Sequence, residues 1–476
     1  MSDSEARNVL IIVLDTVRAR STSIGGRDIT PTVDRVGDRG ARFERAISPS
    51  PWSLPAHASM YTGKYPTEHG TTHHHQYLSD AQQTLAERLS EVGVTAGAFT
   101  ANVFLTGTFN MDQGFNRISF VRGKQHQLFA DALDPVQFLN ERKYESGIGR
   151  FREIASEIAD GPVLKNVANA LYFKINDTLA GDEAEPTLAW DRETVAGARS
   201  FIKEMADRED RFFAMVNLIE AHAAWKYDRE AVEAIGIDPE EIAPEQRWKE
   251  VAAKSRALWE YAAGEVSYDE TDRQILTYLY ESWVHNADAL AGELLDTLDE
   301  TGTREETLVV LTADHGESIA TDGVHGHTVS VSEDIAHVPL VIDGPGIPDT
   351  TVSEAVSIKD IYGTVLDSAG IETDAPTVFD STARGVALME TFGIDPDRID
   401  DCFRETVGQF GLRRAIYTDD DRAERRYDNN EAFGTTDLLR RLDELIEAME
   451  HVKYSEEGPT MDDEVEGRLR ELGYLG

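Results

Sequence analysis

The stretch Asn8-Val9-Leu10-Ile11-Ile12-Val13-Leu14-Asp15 decides the fold class. An unbroken run of apolar, mostly branched residues that ends on a carboxylate has the length and composition of a strand buried on both faces, as parallel sheets require. Thr30-Pro31 then offers an N-cap and a first-turn proline for a helix through Gly40. Working outward, strands are expected at Thr95–Thr100, Phe212–Leu218, Thr307–Thr312 and 338–342, separated by helical patterns at 84–92, 191–207, 272–298 and 358–369. Strands alternating with helices predict an α/β fold with a central, mostly parallel sheet flanked by helices. Residues 1–370 would form this domain, with polar insertions near 121–185 and 226–270 that cover its face. Beyond Gly370 the pattern shortens to hairpin-like strands at Leu412–Tyr417 and 422–427 and a helix from 436 to 451, which predicts a small C-terminal α+β subdomain over 371–476.

The chain has 476 residues, 41% of them hydrophobic, enough for a large core. Its formal net charge of -42, from 88 acidic and 46 basic residues, is spread along the whole sequence. Such a surface repels a phosphate backbone, so nucleic acid is excluded as a partner. Lysine is scarce beside arginine, and together with the acidic surface this predicts a halophilic protein, whose self-repulsion is screened at a Debye length of about 3 Å in molar salt. A single cysteine, Cys402, leaves no intrachain disulfide. The apolar run at 9–14 is too short to span a membrane, and the acidic start Met1-Ser2-Asp3-Ser4-Glu5 does not read as a signal peptide, so the expected compartment is the cytoplasm.

In open α/β sheets ligands collect beyond the carboxyl ends of the strands. Asp15, the run Glu220 to His222 and Asp314-His315 all fall just after expected strands. Asp15, Asp314 and His315, with the oxygen of Ser53, form a mixed oxygen and nitrogen donor set for one divalent cation. Ser53 opens Ser53-Leu54-Pro55-Ala56-His57, a hydroxyl entering a helix, where N-terminal amides favour anions. The plainer alternatives are a helix-capping role for Ser53 and a strand-capping role for Asp15. Hydrolysis of a charged ester needs a nucleophile, charge neutralisation and a proton for the leaving group, and this set contains a candidate for each.

These strings, with Thr62-Gly63-Lys64-Tyr65-Pro66, His69-Gly70 and Thr312-Ala313-Asp314-His315-Gly316-Glu317, resemble the sulfatase family of the alkaline-phosphatase-like superfamily, in a divergent prokaryotic, haloarchaeal-type branch. The resemblance implies metal-dependent hydrolysis of a small-molecule or glycan sulfate ester. It implies one divalent ion at Asp15, Ser53, Asp314 and His315, with Ca2+ first and Mn2+ or Zn2+ as alternatives. It also implies oxidation of Ser53 to formylglycine by a formylglycine-generating enzyme, and catalytic roles for Ser53, His57, His222, His325 and His327, with His222 as general acid. Three departures accompany it: Thr16 stands where a second Asp is common, His57 where the modification pattern has Arg, and no Gly-Lys-Trp-His string follows 95–102. Unmodified Ser53 would suit a phosphoester or phosphonate hydrolase or a phosphotransferase, since a phosphoserine can be cleaved by water whereas a serine sulfate lacks the elimination route of an aldehyde hydrate. An inactive binding homologue is the remaining alternative. Oligomeric state is not legible.

Overall fold

Strand β1 (Asn8–Leu14) is buried at every residue and pairs in parallel with β5 (Phe212–Leu218) on one side and β6 (Thr307–Thr312) on the other. Each aliphatic side chain removed from water there contributes roughly 1.5–3 kcal/mol, which holds β1 at the centre of the sheet. In this computed structural model, which describes residues 5–121, 165, 186–321, 323–381, 383–394, 399 and 401–452, β1 belongs to a nine-stranded sheet. The order is β10 (Thr350–Val352), β2 (Ala41–Ile47), β9 (His337–Asp343), β6, β1, β5, β3 (Thr95–Thr100) and β4 (Arg117–Phe120), with β11 (Val356–Ser357) also on β2. All pairings are parallel except those of β9, which runs antiparallel to both β2 and β6, so the sheet is mixed. The expected α/β architecture is therefore present with one reversed strand.

The expected helices appear with shifted ends: α1 (Pro31–Gly37), α4 (Leu85–Glu91) and the helices Pro186–Arg208, Glu270–Thr301 and Ile361–Ser368. The helix from Pro31 stops before Gly40 because β2, absent from the sequence reading, begins at Ala41. Asp288 reaches from the long helix Glu270–Thr301 to the amides of Thr32 (2.8 Å) and Val33 (3.0 Å), capping α1 from outside its own sequence. By compactness, residues 1–120 and 191–460 form one unit and 121–190 with 461–476 a second; the first is described below. The expected insertion near 121–185, Val121 and Lys165 apart, and the last part of the expected C-terminal subdomain, 453–476, lie outside the described residues. The stretch 226–270 carries the helices Arg229–Ala234, Pro239–Ile242, Glu245–Ala252 and Leu258–Ala262.

The C-terminal part folds as an antiparallel sheet, β12 (Ala387–Phe392), β13 (Leu412–Tyr417), β14 (Arg422–Arg426) and β15 (Glu431–Phe433), with the helix Thr436–Ala448 packed on it through Leu442 and Ile446. Leu388, Ile416 and Ala423 meet these residues and Tyr65 in one apolar cluster.

Candidate active site

Four neighbouring strands, β6, β1, β5 and β3, run parallel and deliver polar residues at one edge of the sheet. Asp15 follows β1, Asp314 and His315 follow β6, Asn217 lies near the end of β5 and Asn102 lies beyond β3. Asp15 Oδ2 accepts from Asn102 Nδ2 (3.0 Å) and Asn217 Nδ2 (3.3 Å). Asp314 Oδ1 accepts from the amides of Thr16 (3.2 Å) and His315 (2.9 Å). Each carboxylate therefore has one oxygen anchored. The other oxygens, Asp15 Oδ1 and Asp314 Oδ2, are buried without a hydrogen-bond partner among the described residues.

His315 donates from Nδ1 to the Gly316 carbonyl (3.0 Å), which leaves the Nε2 lone pair facing Asp314 Oδ2 at 3.4 Å. Ligand atoms of Asp15, Asp314 and His315 lie within 4.8 Å of one another. Burial pushes Asp15 upward, with the Asp314 charge adding to the shift, and pushes Asp314 up to about 7, while the same burial lowers His315 to about 4. Two buried acids and a neutral imidazole with unused electron pairs fit a divalent cation, whose charge would reverse both carboxylate shifts. The turn is closed by Gly316, where a Cβ would stand 2.1 Å from the Asp334 carbonyl oxygen.

Ser53 is the first residue of α2 (Ser53–Thr62); the capping position belongs to Trp52, whose side chain makes no cap. Ser53 Oγ instead donates to Asp15 Oδ2 (3.3 Å) and lies 3.4 Å from His315 Nε2. The hydroxyl is thus held against the cation set. His57, one turn on, donates from Nδ1 to the Ser53 carbonyl (2.9 Å), and its buried Nε2 has no partner among the described residues. Burial lowers its pKa to about 4, so the ring is neutral. Thr16 sits in the left-handed region at φ 63°, and its Oγ1 is buried without a hydrogen bond among the described residues.

His222 donates from Nδ1 to the Ala223 carbonyl (2.8 Å), and its ring lies 5.2 Å from that of His327, centroid to centroid. The His327 ring is in turn 4.4 Å from that of His315. Burial lowers His222 to about 4, with the Glu317 charge acting in the opposite direction, and lowers His327 to about 3; the Glu317 carboxylate lies 3.2 Å from His327 Nδ1. His325 is placed differently. Its Nε2 meets the Ser255 carbonyl (2.9 Å), and the rings of Trp225, Tyr261 and Tyr268 surround it, so its contacts tie the β7 (Ser318–Thr321) and β8 (Val324–Gly326) hairpin to 225–268.

The structure thus brings Asp15, Ser53, His57, Asp314 and His315 together, with His327 beside His315 and His222 beside His327. Asn102, Asn217 and Glu317 were not singled out by sequence, although the rule that sites gather beyond strand ends covers the two asparagines. His73 stacks on Trp52 at 3.9 Å, while Lys64 binds Gln82 and Lys359 binds Asp360.

A family model described as Sulfatase matches residues 7–371. Arylsulfatase K of Xenopus laevis is 40% identical over 101 residues, 21% of this chain and 18% of that protein, so the match spans less than a fifth of the relative's length. Among solved structures, a 2-O GAG sulfatase superposes with a TM-score of 0.62 at 15% identity, covering 93% of this chain and 91% of the other. A phosphonate monoester hydrolase of Agrobacterium radiobacter gives a TM-score of 0.62 at 18% identity, covering 92% and 90%. At these identities the two structures establish a common fold.

Proposed function

Because the chain belongs to the sulfatase family, we propose that it is a metal-dependent sulfuric ester hydrolase whose nucleophile stands at position 53. The observation that carries this reading is Ser53 Oγ held 3.3 Å from Asp15 Oδ2 and 3.4 Å from His315 Nε2, beside two carboxylate oxygens without partners among the described residues. Asp15, Asp314, His315 and Ser53 Oγ would hold the divalent ion, and this donor set admits Ca2+, which we put first, or Mn2+ or Zn2+. When bound, the ion supplies charge stabilisation at the ester oxygens worth several kcal/mol.

The protein's own groups account for the rest. Asn102 and Asn217 fix the Asp15 carboxylate, and the Ser53 hydroxyl is aligned by its hydrogen bond to that carboxylate. The amino end of α2 favours the anionic ester. Attack at sulfur breaks the bond to the ester oxygen, which takes a proton; His222, with Nδ1–H tied to the Ala223 carbonyl, would be the donor in its imidazolium form, in which Nε2 carries the second proton. The substrate class is a small-molecule or glycan sulfate ester, a reading supported by the names of the arylsulfatase and GAG sulfatase relatives.

A second reading rests on His57, which occupies the position where the modification pattern has Arg and turns its Nδ1 back onto the Ser53 carbonyl. An unmodified Ser53 would then transfer a phosphoryl group from a phosphoester or phosphonate. The deciding experiment measures turnover of aryl sulfate, aryl phosphate and aryl phosphonate by purified protein with its metal content determined. It is paired with mass spectrometry of the Ser53 peptide from the natural host. Loss of two hydrogens at Ser53 with sulfate turnover abolished by Ser53→Ala is expected; an intact serine with phosphoryl turnover selects the second reading. Absence of turnover on all three esters with metal bound refutes both.

A further inference from the structure

Glu317 is buried, 2% exposed, and two residues beyond His315. A carboxylate in that position requires a hydrogen-bonded partner of opposite tendency. Its neighbour Arg18 does not supply one to the carboxylate: Arg18 Nη1 reaches the Glu317 backbone carbonyl at 3.3 Å, and the guanidinium lies over the Tyr280 ring at 4.9 Å. Both carboxylate oxygens instead face one atom, His327 Nδ1, at 3.3 Å from Oε1 and 3.2 Å from Oε2. The Nδ1 edge of the His327 ring is thereby held against Glu317.

The placement of the His327 ring gives this hydrogen bond a consequence. The ring lies 4.4 Å from that of His315, tilted by 33°, and 5.2 Å from that of His222, at 74°. It stands between a residue of the cation set and the proposed proton donor. A ring on a glycine-flanked hairpin has two rotatable bonds, and without an anchor it would sample several orientations. The bond from β8's loop back to Glu317 removes that freedom.

We propose that Glu317 is a positioning residue: it fixes the ring of His327 in place between His315 and His222, where the ester's oxyanion would bind. This rests on the ester-site reading above and extends it to a residue that touches neither cation nor ester. Removing such an anchor misplaces the ring, and a displacement of about 1 Å costs roughly 100-fold.

The test is a double-mutant cycle in the full chain with its divalent metal bound, comparing Glu317→Ala, Glu317→Gln, His327→Ala and Glu317→Ala/His327→Ala. Two readouts are taken: calorimetric affinity for inorganic sulfate and inorganic phosphate, and kcat/KM on the aryl ester that the wild-type protein hydrolyses. Glu317→Ala is expected to weaken anion affinity and lower kcat/KM by roughly 10- to 100-fold. Glu317→Gln, which keeps a hydrogen-bonding group facing Nδ1, should recover most of it. In the His327→Ala background Glu317→Ala should change either readout by less than about twofold. The inference is overturned if Glu317→Ala has no effect, if its effect is undiminished in the His327→Ala background, or if it is explained by lost metal. Should Glu317→Ala fail to fold, the cycle runs with Glu317→Gln, whose own smaller loss must likewise vanish without His327. A wild-type protein that binds anions but turns over no ester defeats the hydrolase reading alone, because the anion cycle still decides for Glu317. Wild-type protein that binds neither anion and turns over no ester overturns both.

Discussion

Asp15 and Asp314 are buried beside one another, and the oxygens of each that lack a partner among the described residues fit the divalent cation proposed between them. Thr16 is expected to set how strongly that cation is held. It lies next to Asp15, donates its amide to Asp314 Oδ1, and holds a left-handed φ that a β-branched residue adopts at a cost and Asp tolerates better. Thr16→Asp would add a hard oxygen donor and a negative charge. Calcium affinity, measured by calorimetry or by the shift in melting temperature on adding Ca2+, should rise at least about tenfold, while the metal-free protein melts lower from added repulsion. Unchanged affinity would place the Thr16 side chain outside the cation's reach. A different residue carries a pH signature. His69 accepts the Thr71 amide on Nδ1 (3.0 Å) and meets Ser59 Oγ through Nε2 (3.0 Å), and burial lowers its pKa from 6.5 to about 3. The folded state therefore prefers neutral His69. The resulting stability is fully present above pH 6.5 and is lost as the pH falls toward 3. At pH 4.5 the loss would be on the order of 3 kcal/mol. Denaturant titrations at pH 7 and pH 4.5 should show a smaller pH penalty in His69→Gln than in the wild type; equal penalties would mean His69 does not control the slope.

At the scale of elements, the C-terminal sheet is fastened to the short helix that follows α2. Glu390 on β12 accepts from the Thr67 amide (3.0 Å) and hydroxyl (2.6 Å), both in α3 (Pro66–His69), and from Arg414 Nε on β13 (2.7 Å). Glu390 is fully buried and Arg414 nearly so. Glu390→Ala leaves a buried guanidinium and a buried amide without their acceptor, and this should cost about 3–5 kcal/mol in chemical denaturation. A loss below about 1 kcal/mol would show that solvent reaches the pair. The same element explains which parts of the fold were legible. Strands β1, β3, β5 and β6 are apolar runs buried on both faces, so composition alone marks them. Strand β2 reads Ala41-Arg42-Phe43-Glu44-Arg45-Ala46-Ile47, with three charges, and a register shift between Phe43 and Ala46 breaks its alternation. Arg42 pairs with nearby Asp34 at 2.8 Å, but Arg45 is satisfied far along the chain by Glu333 at 2.6 Å, which no local pattern reveals. The reversed direction of β9 is equally invisible to periodicity, since a strand's burial pattern does not encode its sense. In the candidate site, Asp15, Asp314 and His315 stood out because charged groups just beyond strand ends demand explanation, and Ser53 because its hydroxyl enters a helix. Asn102, Asn217 and Glu317 act by orienting other groups, and that role exists only in three dimensions.

For the molecule as a whole, the dominant electrostatic fact is the charge of -42. Exposed ion pairs do bind the surface together: Arg35 with Asp296 and Asp299, Arg39 with Glu305, Arg440 with Asp437 and Glu444. Each is worth about 0–1 kcal/mol, and salt weakens it. The 88 acidic residues outnumber the 46 basic ones, so even complete pairing would leave 42 carboxylates repelling one another. Salt therefore acts on two opposed quantities, and the unpaired charge is the larger. Raising KCl from 0.1 M to 1 M shortens the Debye length from about 10 Å to about 3 Å, below the usual spacing of surface carboxylates. The melting temperature should climb steadily over that range and into higher concentrations, with NaCl acting alike, because the effect depends on ionic strength. Sucrose at matched osmolality should reproduce little of the rise, since exclusion from the surface leaves the repulsion unscreened. A melting temperature that is flat or falling with KCl would mean that the ion pairs outweigh the excess charge, and that the acidic composition serves solubility and not stability in concentrated salt.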